Sequence, residues 1–139
     1  SSAKSTRIIA DLPPSMRFML IIHHSEAAWV TPSLVRDIED WVDALKQDGR
    51  YIMGGAMEPA GLANTMSRNE KNEIVRHEGP LNDHPIVFAA FELISCKSAQ
   101  EAEDIARTHP AFIFDDTAIE VRRMWDEMHG EMLRKPSSD

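Results

Sequence analysis

From residue 16 the chain reads MRFMLIIHH. This short apolar run is rich in β-formers and follows Pro13, Pro14 and Ser15, so it predicts a strand over residues 16–24. Thr31-Pro32-Ser33 then supplies an N-cap hydroxyl and a proline at the first helical position, where its missing N–H costs nothing. Leu34, Ile38, Trp41 and Leu45, with Val35 and Val42 alongside, recur at helical spacing, while Arg36, Asp37, Asp40, Asp43 and Lys46 take the other side. Gly49 closes this helix as its C-cap. Residues 51–53 predict a second strand that enters Gly54-Gly55, where a bulge or a close backbone approach is expected.

Residues 62–68 and 73–77 read as two short strands around the polar turn Asn69-Glu70-Lys71-Asn72, a hairpin. VFAAFELIS, residues 87–95, is a further strand, and Ser98-Ala99-Gln100-Glu101 is a capping-box pattern opening a second helix. That helix buries Ala99, Ala102, Ile105 and Ala106 and ends near His109, because Pro110 disfavours helical geometry in the residue before it. Residues 117–125 predict a last strand and residues 126–134 a short terminal helix. Residues 1–15 form an arm, residues 16–134 a single domain and residues 135–139 a loose tail.

The predicted order, β-α-β-β-β-β-α-β, fits an α+β sandwich of the ferredoxin-like type. Two helices cover one face of such a sheet. Yet the first strand sets Phe18, Leu20 and Ile22 on one side and Met19 and Ile21 on the other, and the 87–95 strand repeats the pattern, so both faces call for burial. A second copy of the same sheet is the simplest cover, which predicts a homodimer.

Composition narrows the partners. A formal charge of -8 with no Lys/Arg-rich run argues against nucleic acid. The longest apolar run is too short to span a bilayer, and the first fifteen residues lack the apolar block of a secretion signal, so no membrane partner is expected. The single cysteine, Cys96, excludes an intramolecular disulfide and suits a reducing cytoplasm; its strand setting predicts an inert buried thiol.

Five segments in order, RFMLIIHHSEAAW (17–29), WVDALKQDGRYIMGGAMEP (41–59), HEGPLNDHP (77–85), FAAFELI (88–94) and HPAF…AIEVR (109–122), resemble the YCII-related family, in particular its branch named for a DGPF motif. The resemblance spans residues 16–124. Where that branch reads Asp-Gly-Pro-Phe, this chain has Glu78-Gly79-Pro80-Leu81, which alters the shape after the turn. The resemblance implies a dimeric α+β barrel. It also implies small-molecule chemistry with a histidine and a carboxylate as acid–base groups, some members being lyases on oxidised aromatic compounds.

Candidate chemistry centres on the histidines. His109, at the end of the second helix, meets the partial negative charge of unpaired carbonyls, which favours imidazolium by about 0.3–1 kcal/mol and suits a proton donor; the structural alternative is a helix-terminating His-Pro. His23 and His24 point to opposite faces of their strand, so one of them enters a given pocket, with His24 on the side of Phe18, Leu20 and Ile22. Glu78, Asp83 and His84 share a loop in which a carboxylate beside an imidazole orients it or acts as base, or forms an ordinary polar turn. Arg122 shares a strand face with Glu120, as an ion pair or as a clamp on substrate oxygen. Glu58 follows the glycine pair.

No dedicated metal-ligand spacing, glycine-rich dinucleotide fingerprint or P-loop is present, and no metal or cofactor is expected. The reading is a cofactor-independent lyase- or isomerase-type enzyme for a cyclic or aromatic oxygenated molecule. In it, His109, His24, Glu78 and Asp83 are catalytic, and His23, Glu58, His84 and Arg122 bind substrate. The alternatives are a ligand-binding or accessory dimer without chemistry, and a helper subunit for a neighbouring enzyme.

Overall fold

The computed structural model describes residues 15–28 and 30–126. The expected arm before residue 15, the terminal helix after residue 126 and the tail lie outside these residues.

Among the described residues six strands and two helices follow one another as β1 (Met16–Ser25), α1 (Pro32–Gln47), β2 (Tyr51–Ala56), β3 (Asn64–Arg68), β4 (Ile74–Glu78), β5 (Ile86–Cys96), α2 (Ala99–Arg107) and β6 (Ala118–Arg123), with 3-10 turns at Ala60–Leu62 and Pro110–Ile113. Both helix starts behave as their sequences dictate. Thr31 Oγ1 accepts the Leu34 N–H at 3.1 Å, Ser98 Oγ accepts the Glu101 N–H at 3.1 Å, and the Glu101 carboxylate reaches back to the Lys97 N–H at 3.1 Å. Gly49, at φ +70°, takes the left-handed conformation that ends α1.

The main sheet has the order β2-β5-β1-β6, and its three pairings are antiparallel. This α+β arrangement is compatible with the ferredoxin-like class, with the β3–β4 hairpin inserted between β2 and β5 as a separate two-stranded sheet. The second strand runs past the predicted residues 51–53 to Ala56, because Gly54 and Gly55 pair across from Glu92 and Phe91 rather than ending the strand.

Alternation sorts the sheet into two faces. Phe18, Leu20 and Ile94 on one face pack with Leu45 of α1 and with Ala102, Ile105 and Ala106 of α2. Full burial of Leu20 and Ile94 contributes about 1.5–3 kcal/mol per side chain. On the opposite face Met19, Ile21, Phe91 and Leu93 are half-buried and Met53 is exposed. One irregularity shapes the end of the sheet: Ile22 pairs with Ala90 but His23 pairs with Phe88, so Ala89 is the extra residue of a bulge in β5. Beyond it His24 and Val87 keep the helix-side face, while His23 and Phe88 take the other. Among the described residues no helix is long and apolar enough to cross a membrane.

Candidate functional site

A carboxylate stands where the core pattern calls for an aliphatic side chain. Glu92 sits opposite Leu20 on the helix-side face and is only 5% exposed. Burying it requires partners for its acceptor oxygens. Oε1 accepts the Tyr51 hydroxyl at 2.9 Å, and Oε2 lies 3.0 Å from His109 Nε2. Burial, followed by the hydrogen bond to Glu92 and that carboxylate's charge, pushes the Tyr51 phenol well above its ordinary range. Gly54 leaves room for this cluster: a Cβ there would collide with the Glu92 carboxylate and the Tyr51 hydroxyl and would sit 2.7 Å from the Phe91 carbonyl oxygen.

The geometry of His109 fixes its proton. The helix ends near His109 as expected, at Arg107 with Thr108 as its cap. His109 is extended and serves instead as the N-cap of the Pro110–Ile113 turn. Its Nδ1 accepts the Ala111 N–H at 3.0 Å, so that nitrogen carries a lone pair and the hydrogen resides on Nε2, donated to Glu92. The ring is 3% exposed and meets Trp41 edge-on at a centroid distance of 4.6 Å. The expectation of an imidazolium stabilised by the helix C-terminus is therefore corrected. The ring caps the next turn rather than α2, and both nitrogens are already engaged.

Beside this cluster, between α1 and the ends of β1 and β5, lies a cavity of about 410 Å³. Ile22, Leu34, Val87 and Phe114 provide apolar wall, and the edge of His109 contributes to the lining. His24 and the carboxylate residues Glu26, Glu39 and Glu58 are its remaining polar lining residues. His24 packs against Phe114 with ring centroids 5.0 Å apart. Its Nδ1 lies 3.0 Å from the Ser25 carbonyl oxygen. A carbonyl only accepts, so Nδ1 carries hydrogen and Nε2 of the neutral ring is bare. Nε2 makes no hydrogen bond among the described residues.

His23, on the other face, meets Phe88 edge-on at 5.9 Å and lines a second cavity of about 610 Å³ against the base of the β3–β4 hairpin. Glu58 borders both cavities. The remaining candidates lie outside these two cavities. Glu78 is exposed on β4, 3.9 Å from Arg76. Asp83 and His84 are exposed in the loop before β5, where His84 Nδ1 accepts the Ile86 N–H at 3.1 Å. Arg122 pairs with Glu120 at 2.6 Å on an exposed edge, across from Met19 and therefore on the face away from His24. His24, His109 and Glu58 thus share one cavity, and Glu78, Asp83, His84 and Arg122 do not reach it.

The residues that sequence reasoning missed are Glu92 and Tyr51. A signal for Glu92 exists, since it is the lone charge in VFAAFELIS and falls at a core-facing position. Its partners come from β2 and from the start of the turn after α2, and no local pattern joins those segments. Neither a protein-family model nor a curated protein matches the chain.

Proposed function

We propose that the protein is a small-molecule enzyme of lyase or isomerase type, and that His24 is the group that moves the proton. The observation that carries this reading is the state of the His24 ring. Its hydrogen is committed to the Ser25 carbonyl, leaving a bare Nε2 on a side chain that lines an apolar-walled cavity. On a cyclic or aromatic oxygenated substrate, His24 Nε2 takes a proton from carbon next to a carbonyl while the C–H electron pair moves toward the carbonyl oxygen. The imidazolium then returns the proton at another atom, or to a departing group. His109 acts here as a positioning residue: it caps the turn that carries Phe114 against His24. The resemblance to the YCII-related family supports the same reading.

A homodimer belongs to this proposal. Met19, Ile21, Phe91, Leu93 and Met53 share the sheet face away from the helices, and a second sheet pressed on them gives the two-fold pairing expected from the alternation and the dimeric barrel that the resemblance implies.

The test incubates the full chain with a panel of cyclic and aromatic carbonyl compounds in deuterated water and follows conversion or deuterium uptake by mass spectrometry. Turnover or exchange that disappears in His24→Ala supports the proposal. Equal turnover in His24→Ala overturns the role of His24, and binding without conversion or exchange favours a ligand-binding dimer instead.

A further inference from the structure

The charges around the His24 cavity all have one sign. Glu26 comes from the connection between β1 and α1, Glu39 from the middle of α1 and Glu58 from the segment after β2, and no lysine or arginine lines the cavity with them. Glu26 is partly committed, because its Oε2 accepts the Ala60 N–H at 2.7 Å. Glu39 and Glu58 make no hydrogen bond or ion pair among the described residues. All three are exposed, so they ring the mouth rather than the floor, and the walls behind them are apolar. The cation expected to hold substrate oxygen, Arg122, is on the other side of the sheet and paired with Glu120.

Carboxylates spaced around an apolar, low-dielectric concavity focus a negative potential on whatever enters it. An anionic ligand finds no countercharge there. An apolar ring bearing a protonated amine satisfies both parts of the lining, the ring against Ile22, Val87 and Phe114 and the ammonium among the carboxylates. The proposed chemistry points the same way: proton removal by His24 builds negative charge on the substrate, which the ring of carboxylates opposes unless the substrate brings its own positive charge.

We propose that the ligand of this cavity is a cationic amine on an apolar ring, and that Glu39 and Glu58 are its specificity-determining residues. The choice of ligand rests on the reading of the cavity as a substrate site; the amine preference is measured by binding alone and does not require turnover.

Three isosteric probes test it by calorimetric titration of the full chain: 2-naphthylmethylamine, 2-naphthalenemethanol and 2-naphthoate. At low salt the amine is expected to bind about tenfold more tightly than the alcohol, the combined effect of several exposed carboxylates each of modest strength. Naphthoate is expected to bind most weakly, and the advantage of the amine shrinks at 0.5 M sodium chloride, on the order of the screening that exposed charges experience. Glu39→Gln with Glu58→Gln brings amine and alcohol to nearly equal affinity; each single change, at an exposed position, moves the ratio part of the way. Naphthoate binding as tightly as the amine, an amine advantage that survives both substitutions, or no binding by any probe overturns the proposal. Selective amine binding by a protein that converts nothing leaves this inference standing and removes the enzymatic reading.

Discussion

Glu92 Oε2 accepts the Nε2–H of His109 at 3.0 Å inside the sheet–helix core, and this bond ties a central strand to the turn that carries Phe114 onto His24. With Tyr51 on its other oxygen, the carboxylate has two donors and each donor has that one acceptor. Removing the acceptor strands both, whereas removing one donor strands less.

Replacing Glu92 by leucine is therefore expected to destabilise the fold by about 2–5 kcal/mol, the cost of leaving a half-buried hydroxyl and a buried imidazole N–H unmet. Glu92→Gln keeps an acceptor for His109 and loses less. In urea titrations the double change Glu92→Leu with His109→Leu costs less than the sum of the single changes, because one partner's loss is counted twice. Strict additivity would show that the pair is not coupled.

Gly54 gives a steric version of the same test. A methyl group there meets the Glu92 carboxylate, the Tyr51 hydroxyl and the Phe91 carbonyl together, and a backbone oxygen does not move aside cheaply. Gly54→Ala is expected to lose about 1–3 kcal/mol, as overpacked cores do. Gly55→Ala, where the nearest atom is the Phe91 ring at 3.9 Å, stays near the wild type. Equal denaturation midpoints for the two variants would refute the close approach.

How much of this was legible beforehand follows from the range of each signal. Helix caps are local, so Thr31-Pro32 and Ser98…Glu101 announced α1 and α2, and alternation in MRFMLIIHH placed His24 on the side of Leu20 and Ile22. Gly54-Gly55 announced a close approach without naming what approaches. The site is non-local: Tyr51, Glu92 and His109 are 41 and 17 residues apart along the chain. Proline after His109 correctly signalled the end of a helix, but nothing in the sequence told whether the ring would cap the helix behind it or the turn ahead. Arg122 alternates with Val121, so its face was readable; that this face lies away from the cavity follows only from the sheet order.

Alkaline pH weakens the fold through two acids, the half-buried Tyr51 and the buried Cys96. Tyr51 is raised from its ordinary 10.0, by burial first and then by Glu92. The Cys96 thiol is pushed up from 9.0 to about 11 by burial, with the Glu101 carboxylate adding to the rise and Arg50 opposing it. Above their ordinary values the unfolded chain releases protons that the folded chain still holds, so the unfolded state binds fewer protons and stability falls with pH. Their contribution is present below about pH 9 and declines from there upward, Cys96 first. Tyr51→Phe and Cys96→Ala are each expected to flatten the decline of urea midpoints between pH 9 and 11; parallel curves for all three proteins would contradict the assignment.

The apolar sheet face makes a separate prediction about association. Leu93 lies beside Met53 and Met19 on that face, and a carboxylate in its place cannot be buried against a second sheet. Wild-type protein is expected to sediment as a dimer at micromolar concentration and Leu93→Asp as a folded monomer. A wild-type monomer at that concentration would remove the closed barrel.

His24 and His109 are expected to hold opposite tautomers, and this separates a proton carrier from a fixed support. The Ser25 carbonyl demands a hydrogen on Nδ1 of His24, whereas the Ala111 N–H demands a lone pair on Nδ1 of His109. Long-range proton–nitrogen correlations distinguish a protonated ring nitrogen from a bare one, so spectra of neutral rings should show Nδ1–H for His24 and Nε2–H for His109. Spectra showing Nε2–H for His24 or Nδ1–H for His109 would contradict the assignment and take the bare, cavity-lining nitrogen away from His24.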